Sequence, residues 1–196
     1  MALLSPIKKN MIRRLCRTRV GPLLLLGLFF MPVSDLYADT FSDHEVKAVF
    51  LYNFPNFVRW PKSAFQNDEK SFVYCGINDS EPVTMTLKAL IEGEKVNSRS
   101  VRFQRLQRIE NMTQCQVLFL SKDRSALADR LIEAAEDTNV LLVSDLQQFA
   151  VRGGLIELTE VDGRIRPTIN IEQLEKTQLK VSSKLLRLAK RVRKMK

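Results

Sequence analysis

Between residues 42 and 60, Val46, Val49, Phe50, Phe54, Phe57 and Val58 recur at the three-to-four-residue spacing of an amphipathic helix. Ser42-Asp43 with Glu45 three places after Ser42 resembles a capping box. Pro55 should kink or end the regular hydrogen bonding, and Trp60-Pro61 closes the segment. The period then shortens. Residues 71–77 (SFVYCGI) are apolar without interruption and predict a buried strand, and 83–91 predict a helix facing inward through Val83, Leu87, Leu90 and Ile91, ended at Gly93. Residues 101–106 alternate apolar and polar, as a half-exposed or edge strand does, whereas 116–120 (QVLFL) read as another buried strand. A helix over 125–135 follows, with Leu127, Leu131, Ile132 and Ala135 inward.

The stretch 140–171 is the part the chain is organised around. Val140 to Val143 read as a buried strand, Ser144-Asp145 as a cap, and Leu146, Phe149 and Ala150 as one short amphipathic helix broken by Gly153-Gly154. Residues 155–158 form the next strand. Asp162-Gly163 is a hairpin turn returning through Arg164-Ile165-Arg166 and Ile169-Asn170-Ile171. A short helix over 172–177 and a longer terminal one over 181–195 complete the pattern, the latter with Val181, Leu185, Leu188, Val192 and Met195 as its apolar stripe. Strands alternating with helices predict an α/β domain. Its mainly parallel sheet is flanked by helices in a Rossmann-like three-layer arrangement, with a late antiparallel hairpin and a basic amphipathic helix at the C-terminus.

The N-terminus changes how the charge is read. Lys8, Lys9, Arg13, Arg14, Arg17 and Arg19 precede an apolar run over 23–33 and then Ser34 to Ala38, the order of a cleavable signal peptide ending near Ala38. The apolar run carries Gly27 and Pro32 and is short of the roughly 20 residues a spanning helix needs. Residues 1–38 are therefore expected to be a signal peptide and 39–196 the exported α/β domain. The formal charge of +9 owes +5 to that leader, and seven basic residues with no acid lie between Lys184 and Lys196. A basic leader and a basic tail do not make a nucleic-acid-binding face, which needs cations spread across one folded surface. The tail can instead reach anionic lipid headgroups, making peripheral membrane contact through the terminal helix an expectation.

Catalytic chemistry is thinly represented. His44 is the single histidine and has no second ligand or base at useful spacing. Gly153-Gly154 precedes a strand rather than following one, so it is no phosphate loop, and Ser121, Ser144 and Ser182 lack a nucleophile-elbow context. No catalytic residue, metal or cofactor is expected. The candidate binding residues are Tyr52, Asn53, Arg59 and Trp60 on the aromatic helix, and Arg164, Arg166 and Asn170 on the hairpin's polar face, because Trp, Tyr and Arg are enriched where partners bind. Core packing and an ordinary solvated strand face are the plainer readings. Cys75 and Cys115 remain after export and form a candidate disulfide, the alternative being two buried thiols. In adjacent parallel strands Cys75 sits late and Cys115 early, which argues against a bridge unless the register is staggered.

Several of these segments, in this order, resemble the YfiR family of small bacterial periplasmic proteins. They are Lys47 to Phe54 leading to Phe57-Val58-Arg59-Trp60-Pro61, Cys75, Cys115, Val140 to Asp145 with Phe149, Gly153 to Ile156, Ile169 to Ile171, and Leu179 to Ala189. The resemblance spans nearly all of the exported chain. It implies a non-enzymatic periplasmic regulator that binds the periplasmic sensor domain of an inner-membrane diguanylate cyclase and represses it, lowering cyclic di-GMP and biofilm formation. It also implies an outer-membrane lipoprotein that relieves the repression, and a homodimer. A cysteine pair at Cys75 and Cys115 is likewise a family feature, which favours the bridge. The second pair that some members carry around the glycines has no counterpart in residues 149–158. The alternative function is a periplasmic small-ligand-binding protein using the crevice at the carboxyl ends of the strands.

Overall fold

The computed structural model describes residues 41–65 and 70–192. The expected signal peptide, and Arg193, Lys194, Met195 and Lys196 of the tail, lie outside the described residues. Helix α1 (Asp43–Phe57) begins as its sequence predicts: the Glu45 carboxylate accepts the Ser42 N–H at 2.8 Å and the Ser42 hydroxyl at 2.6 Å. Those two bonds hold the Glu45 carboxyl below its ordinary range, first through the hydroxyl and then through the backbone. The face that α1 buries differs from the expected stripe. Lys47, Ala48, Leu51 and Phe54 point inward, while Val49 is exposed. Because the helix is apolar around much of its circumference, periodicity alone did not fix the inward side. Pro55 lies in the last turn and the helix ends two residues later.

The chain continues through β1 (Val58–Arg59) and a 3-10 turn (Lys62–Phe65) to β2 (Ser71–Gly76), helix α2 (Pro82–Ile91), β3 (Lys95–Val96) and β4 (Arg99–Arg105). A second 3-10 turn (Ile109–Gln114) leads to β5 (Val117–Leu120), then a third (Lys122–Leu127), α3 (Ala128–Ala135) and β6 (Leu141–Ser144). The expected helix over 125–135 is thus shorter: Ser125, Ala126 and Leu127 still belong to the 3-10 turn, and regular helix begins at Ala128. Next come β7 (Ile156–Val161), β8 (Arg164–Asn170), α4 (Ile171–Lys176), β9 (Lys180–Val181), α5 (Ser183–Leu188) and β10 (Lys190–Val192).

The main sheet has the order β10-β8-β7-β6-β5-β2-β4-β3, and β1 pairs separately with β9. From β4 through β7 neighbouring strands are parallel; β7 and β8 form the expected antiparallel hairpin. Asp162 and Gly163 turn it with φ of 52° and 71°, the positive pair that a two-residue hairpin turn requires. Alternation sorts the buried strands onto two cores. Phe72, Tyr74, Val117, Phe119, Leu141 and Val143 pack with α1 and α2, while Val73, Cys75, Leu118, Leu120 and Leu142 pack with α3 and Phe149. The sheet is therefore apolar on both faces, as its uninterrupted apolar runs predict.

Three expectations change. The crossovers from β4 to β5 and from β6 to β7 carry a 3-10 turn and a run of tight turns in place of full helices, so the three-layer pattern is incomplete. Residues 144–150 form no helix: Ser144 completes β6, its hydroxyl donates to the Leu120 carbonyl at 2.7 Å, and Gln148 has φ of 62°. Nor is there a continuous terminal helix. α5 ends at Leu188, Ala189 is extended, and Lys190–Val192 pair in parallel with Thr168–Asn170 of β8. The free side of β8 offers backbone partners, and that outweighs the helical spacing of Leu185, Leu188 and Val192. Of the described residues of that stripe only Leu185 is buried; Leu188 is 65% exposed. Among the described residues no helix is long and apolar enough to cross a membrane.

Cys75 and Cys115 form a disulfide with Cα atoms 5.8 Å apart. The register difficulty disappears because Cys115 lies outside β5, at the end of the 3-10 turn, where the chain is free to bend toward β2. Both residues are buried in the second core. Replacing both by serine should lower stability by up to about 4 kcal/mol, the chain-entropy value for a loop of this length. Denaturant titration of the exported chain with and without the substitutions measures the loss.

Candidate functional site

The end of α1 delivers the first group of candidate residues. Tyr52 and Asn53 are half-buried; the Asn53 amide donates to the Val49 carbonyl one turn back at 2.8 Å, and the Tyr52 carbonyl accepts the Tyr74 hydroxyl at 3.2 Å. Burial pushes the Tyr74 phenol far above its ordinary range, so it stays protonated as a donor. β1 then turns Arg59 outward, opposite Lys180 of β9. Trp60 folds back: its indole N–H donates to the Gln116 carbonyl at 3.0 Å and its ring meets Phe72 edge-on at 5.0 Å.

Arg59 and Trp60, but not Tyr52 or Asn53, line a cleft of about 430 Å³ with Lys62, Phe65, Phe72, Val96, Asn97 and Arg99. Its wall is aromatic (Trp60, Phe65, Phe72) and its cations are Arg59, Lys62 and Arg99. The Arg99 guanidinium lies 4.1 Å from the Phe65 ring centre, and its Nε is buried with no hydrogen-bond partner. Such a lining suits an acidic group attached to an apolar body. The cleft lies toward the amino ends of β2 and β4, not at the carboxyl ends where the crevice of an α/β sheet is expected.

The second group of candidates is elsewhere. Arg164 and Arg166 are exposed on β8, near the opposite edge of the sheet from β4. Asn170 does not join them. It is buried, its side-chain Oδ1 accepting the Gln173 N–H at 3.0 Å to cap α4 and its side-chain Nδ2 donating to the Ala150 carbonyl at 2.8 Å. The alternation that puts Arg164 and Arg166 outward ends at Pro167, after which β8 is covered on both faces. Asn170 is therefore a structural residue.

The buried acids are consumed by the fold. Both Glu81 oxygens accept N–H groups of the first turn of α2, from Val83 at 2.9 Å and Thr84 at 3.0 Å. A carboxylate of the chain itself thus fills the position where a helix start would bind phosphate. Asp145 accepts the Lys122 N–H at 2.7 Å and the Lys47 ammonium at 3.0 Å; Glu157 accepts the Ala150 N–H at 3.1 Å and the Thr159 hydroxyl at 3.0 Å. His44 is exposed beside Ser42, with 3.2 Å between its Nε2 and the serine hydroxyl. Among the described residues no cluster has the composition to hold a metal ion. The arrangement offers surfaces for binding rather than groups for proton transfer.

Lys47 and Asp145 are what reading for motifs overlooked. Both fall inside segments that carry the family resemblance, yet their pairing is across 98 positions of sequence. The available signal was a lysine on the same helical face as Leu51 and Phe54, with an acid placed directly after a buried strand. Replacing either partner alone by a neutral residue strands a buried charge, which costs about 3–5 kcal/mol; the double replacement Lys47→Met with Asp145→Asn should recover part of it. Thermal unfolding of the two single variants and the double variant checks this.

The sequence model of the YfiR/HmsC-like family matches residues 44–190, most of the chain and nearly all of the described part, so the chain belongs to that family. A comparison with curated proteins found no match. The family is one of periplasmic regulators of cyclic di-GMP signalling and is regulatory rather than catalytic.

Proposed function

We propose that this member of the YfiR/HmsC-like family is an exported regulator that binds the periplasmic part of an inner-membrane diguanylate cyclase and holds it inactive. The observation that carries this reading is the family match over residues 44–190, which takes in α1, both cysteines and the hairpin. The site chemistry agrees with it. The buried carboxylates serve the fold, and the charges that line the cleft are cations beside aromatic side chains, the composition of a binding surface. Repression then follows from differential affinity: the regulator shifts the cyclase population only as far as it binds the inactive state more tightly. An outer-membrane lipoprotein that competes for the same surface would relieve the repression.

Crosslinking pulldown of the exported chain from its own envelope, with and without reductant, tests this. Recovery of a membrane diguanylate cyclase under both conditions supports the regulator and makes the Cys75–Cys115 bridge a staple. Recovery only without reductant makes the bridge part of the switch. Failure to recover any cyclase under either condition counts against the reading.

The cleft at Arg59 and Trp60 favours one second reading, a small-ligand-binding protein. Ligands joining an apolar or aromatic body to an acidic group should raise the unfolding temperature, by the equivalent of about 2.7 kcal/mol at a hundred times the dissociation constant. Arg59→Ala or Arg99→Ala should abolish the shift. No shift with any such ligand removes this second reading and leaves the regulator standing.

A further inference from the structure

The main sheet ends at β10, and β10 covers only part of its neighbour. Lys190, Arg191 and Val192 pair with Thr168, Ile169 and Asn170, so among the described residues no strand covers the outer side of Arg164–Pro167 of β8. The open edge is therefore a step: half of β8, then the outer side of β10. Unpaired strand backbone of this kind is a template for another strand.

Its side chains carry one sign. Arg164 and Arg166 on β8, Lys190 and Arg191 on β10, and Lys184 and Arg187 on the adjoining α5 are all exposed, and none forms an ion pair with a described residue. Leu188, the last residue of α5, is 65% exposed beside them. A second copy of this chain would bring the same cations to the same edge, and like charges placed opposite each other on paired strands repel. The basic residues thus guard the edge against self-pairing, and the same charges select an occupant of opposite sign; Pro167, which has no N–H, leaves one rung of any added strand unmade. Lipid is the poorer fit, because Leu185 of α5 is docked in the core and Leu188 alone is a small apolar face to enter a membrane.

We propose that the edge formed by β8 and β10 is a docking site for an extended acidic segment of a partner protein, added as a further strand. Backbone pairing supplies the attachment, and the cations select glutamate- or aspartate-bearing positions on alternate residues of the incoming strand. The assignment rests on the protein-binding reading above and places one contact surface within it.

Two capped peptides of equal charge test it with the full exported chain: one alternating valine and glutamate, the other carrying prolines in place of two valines so that it cannot pair as a strand. Fluorescence anisotropy should show the alternating peptide binding at least tenfold more tightly than the proline peptide. Lys190→Glu with Arg191→Glu should weaken it at least tenfold, and Arg164→Glu with Arg166→Glu, which leaves β10 intact, should weaken it as well. Lys95→Glu, on the opposite edge strand β3, should leave it unchanged. Equal binding of both peptides would reduce the edge to unspecific charge attraction and overturn the proposal, as would binding of neither. So would loss of binding to phosphatidylglycerol vesicles, rather than to peptide, in the charge-reversed variants. A chain that captures the cyclase yet ignores the alternating peptide overturns this edge alone and not the regulator reading.

Discussion

The contact on which the rest of the molecule depends is the buried pairing of Lys47 with Asp145. α1 lies across the sheet face formed by Phe72, Tyr74, Phe119 and Val143, and apolar packing alone would let it slide, since apolar side chains cover much of its surface. One charge placed on its inner face removes that freedom. Desolvating two ions costs much of what their attraction returns, so the pair specifies position more than it adds stability. Asp145 also accepts the Lys122 N–H, which ties together the carboxyl ends of β5 and β6. Everything α1 presents to solvent, from Val49 and Asn53 to the exit toward Arg59 and Trp60, takes its orientation from this bond.

A second anchor fixes the chain where it leaves β6. Ala150 is gripped from both sides of its peptide groups, its N–H by Glu157 of β7 and its carbonyl by Asn170 of β8. The neighbouring Phe149 is fully buried, and a Cβ at Gly154 would collide with its ring, which is why only glycine fits there. The chain thus closes this loop with two hydrogen bonds and a buried ring and has no cysteine in it. Among the described residues the cysteines are Cys75 and Cys115, joined in the disulfide away from this loop.

The fold was legible wherever one rule dominated. Continuous apolar runs marked β2, β5 and β6, Asp162-Gly163 marked the hairpin, and Ser42 with Glu45 marked the start of α1, because each is decided within a few residues. What was illegible was decided at a distance. Residues 190–192 have a helical apolar period, yet they follow the open side of β8, a partner that no local pattern reveals. Asn170 alternates correctly for a solvent face but sits where α4 begins and needs a cap. Of the candidate site, Arg59 and Trp60 were readable as an aromatic helix end. Phe65, Val96 and Arg99 complete the cleft only because β3 and β4 return to the same corner of the sheet.

The distribution of charge then argues for binding over chemistry. Glu81, Asp145 and Glu157 are each buried, and all six of their oxygens accept a hydrogen bond from the chain itself. A general acid or base must exchange its proton with a substrate, and a carboxylate whose every oxygen holds a helix start, a loop or a lysine in place would loosen the fold by doing so. At the cleft the charges are Arg59, Lys62 and Arg99, and at the sheet edge they are the cations of β8, α5 and β10. Both sets are of one sign and lie at places where backbone or aromatic surface is open to a neighbour. On the proposed reading, such a chain would act by holding what it touches, and the cations at the edge would set its preference for acidic, extended segments.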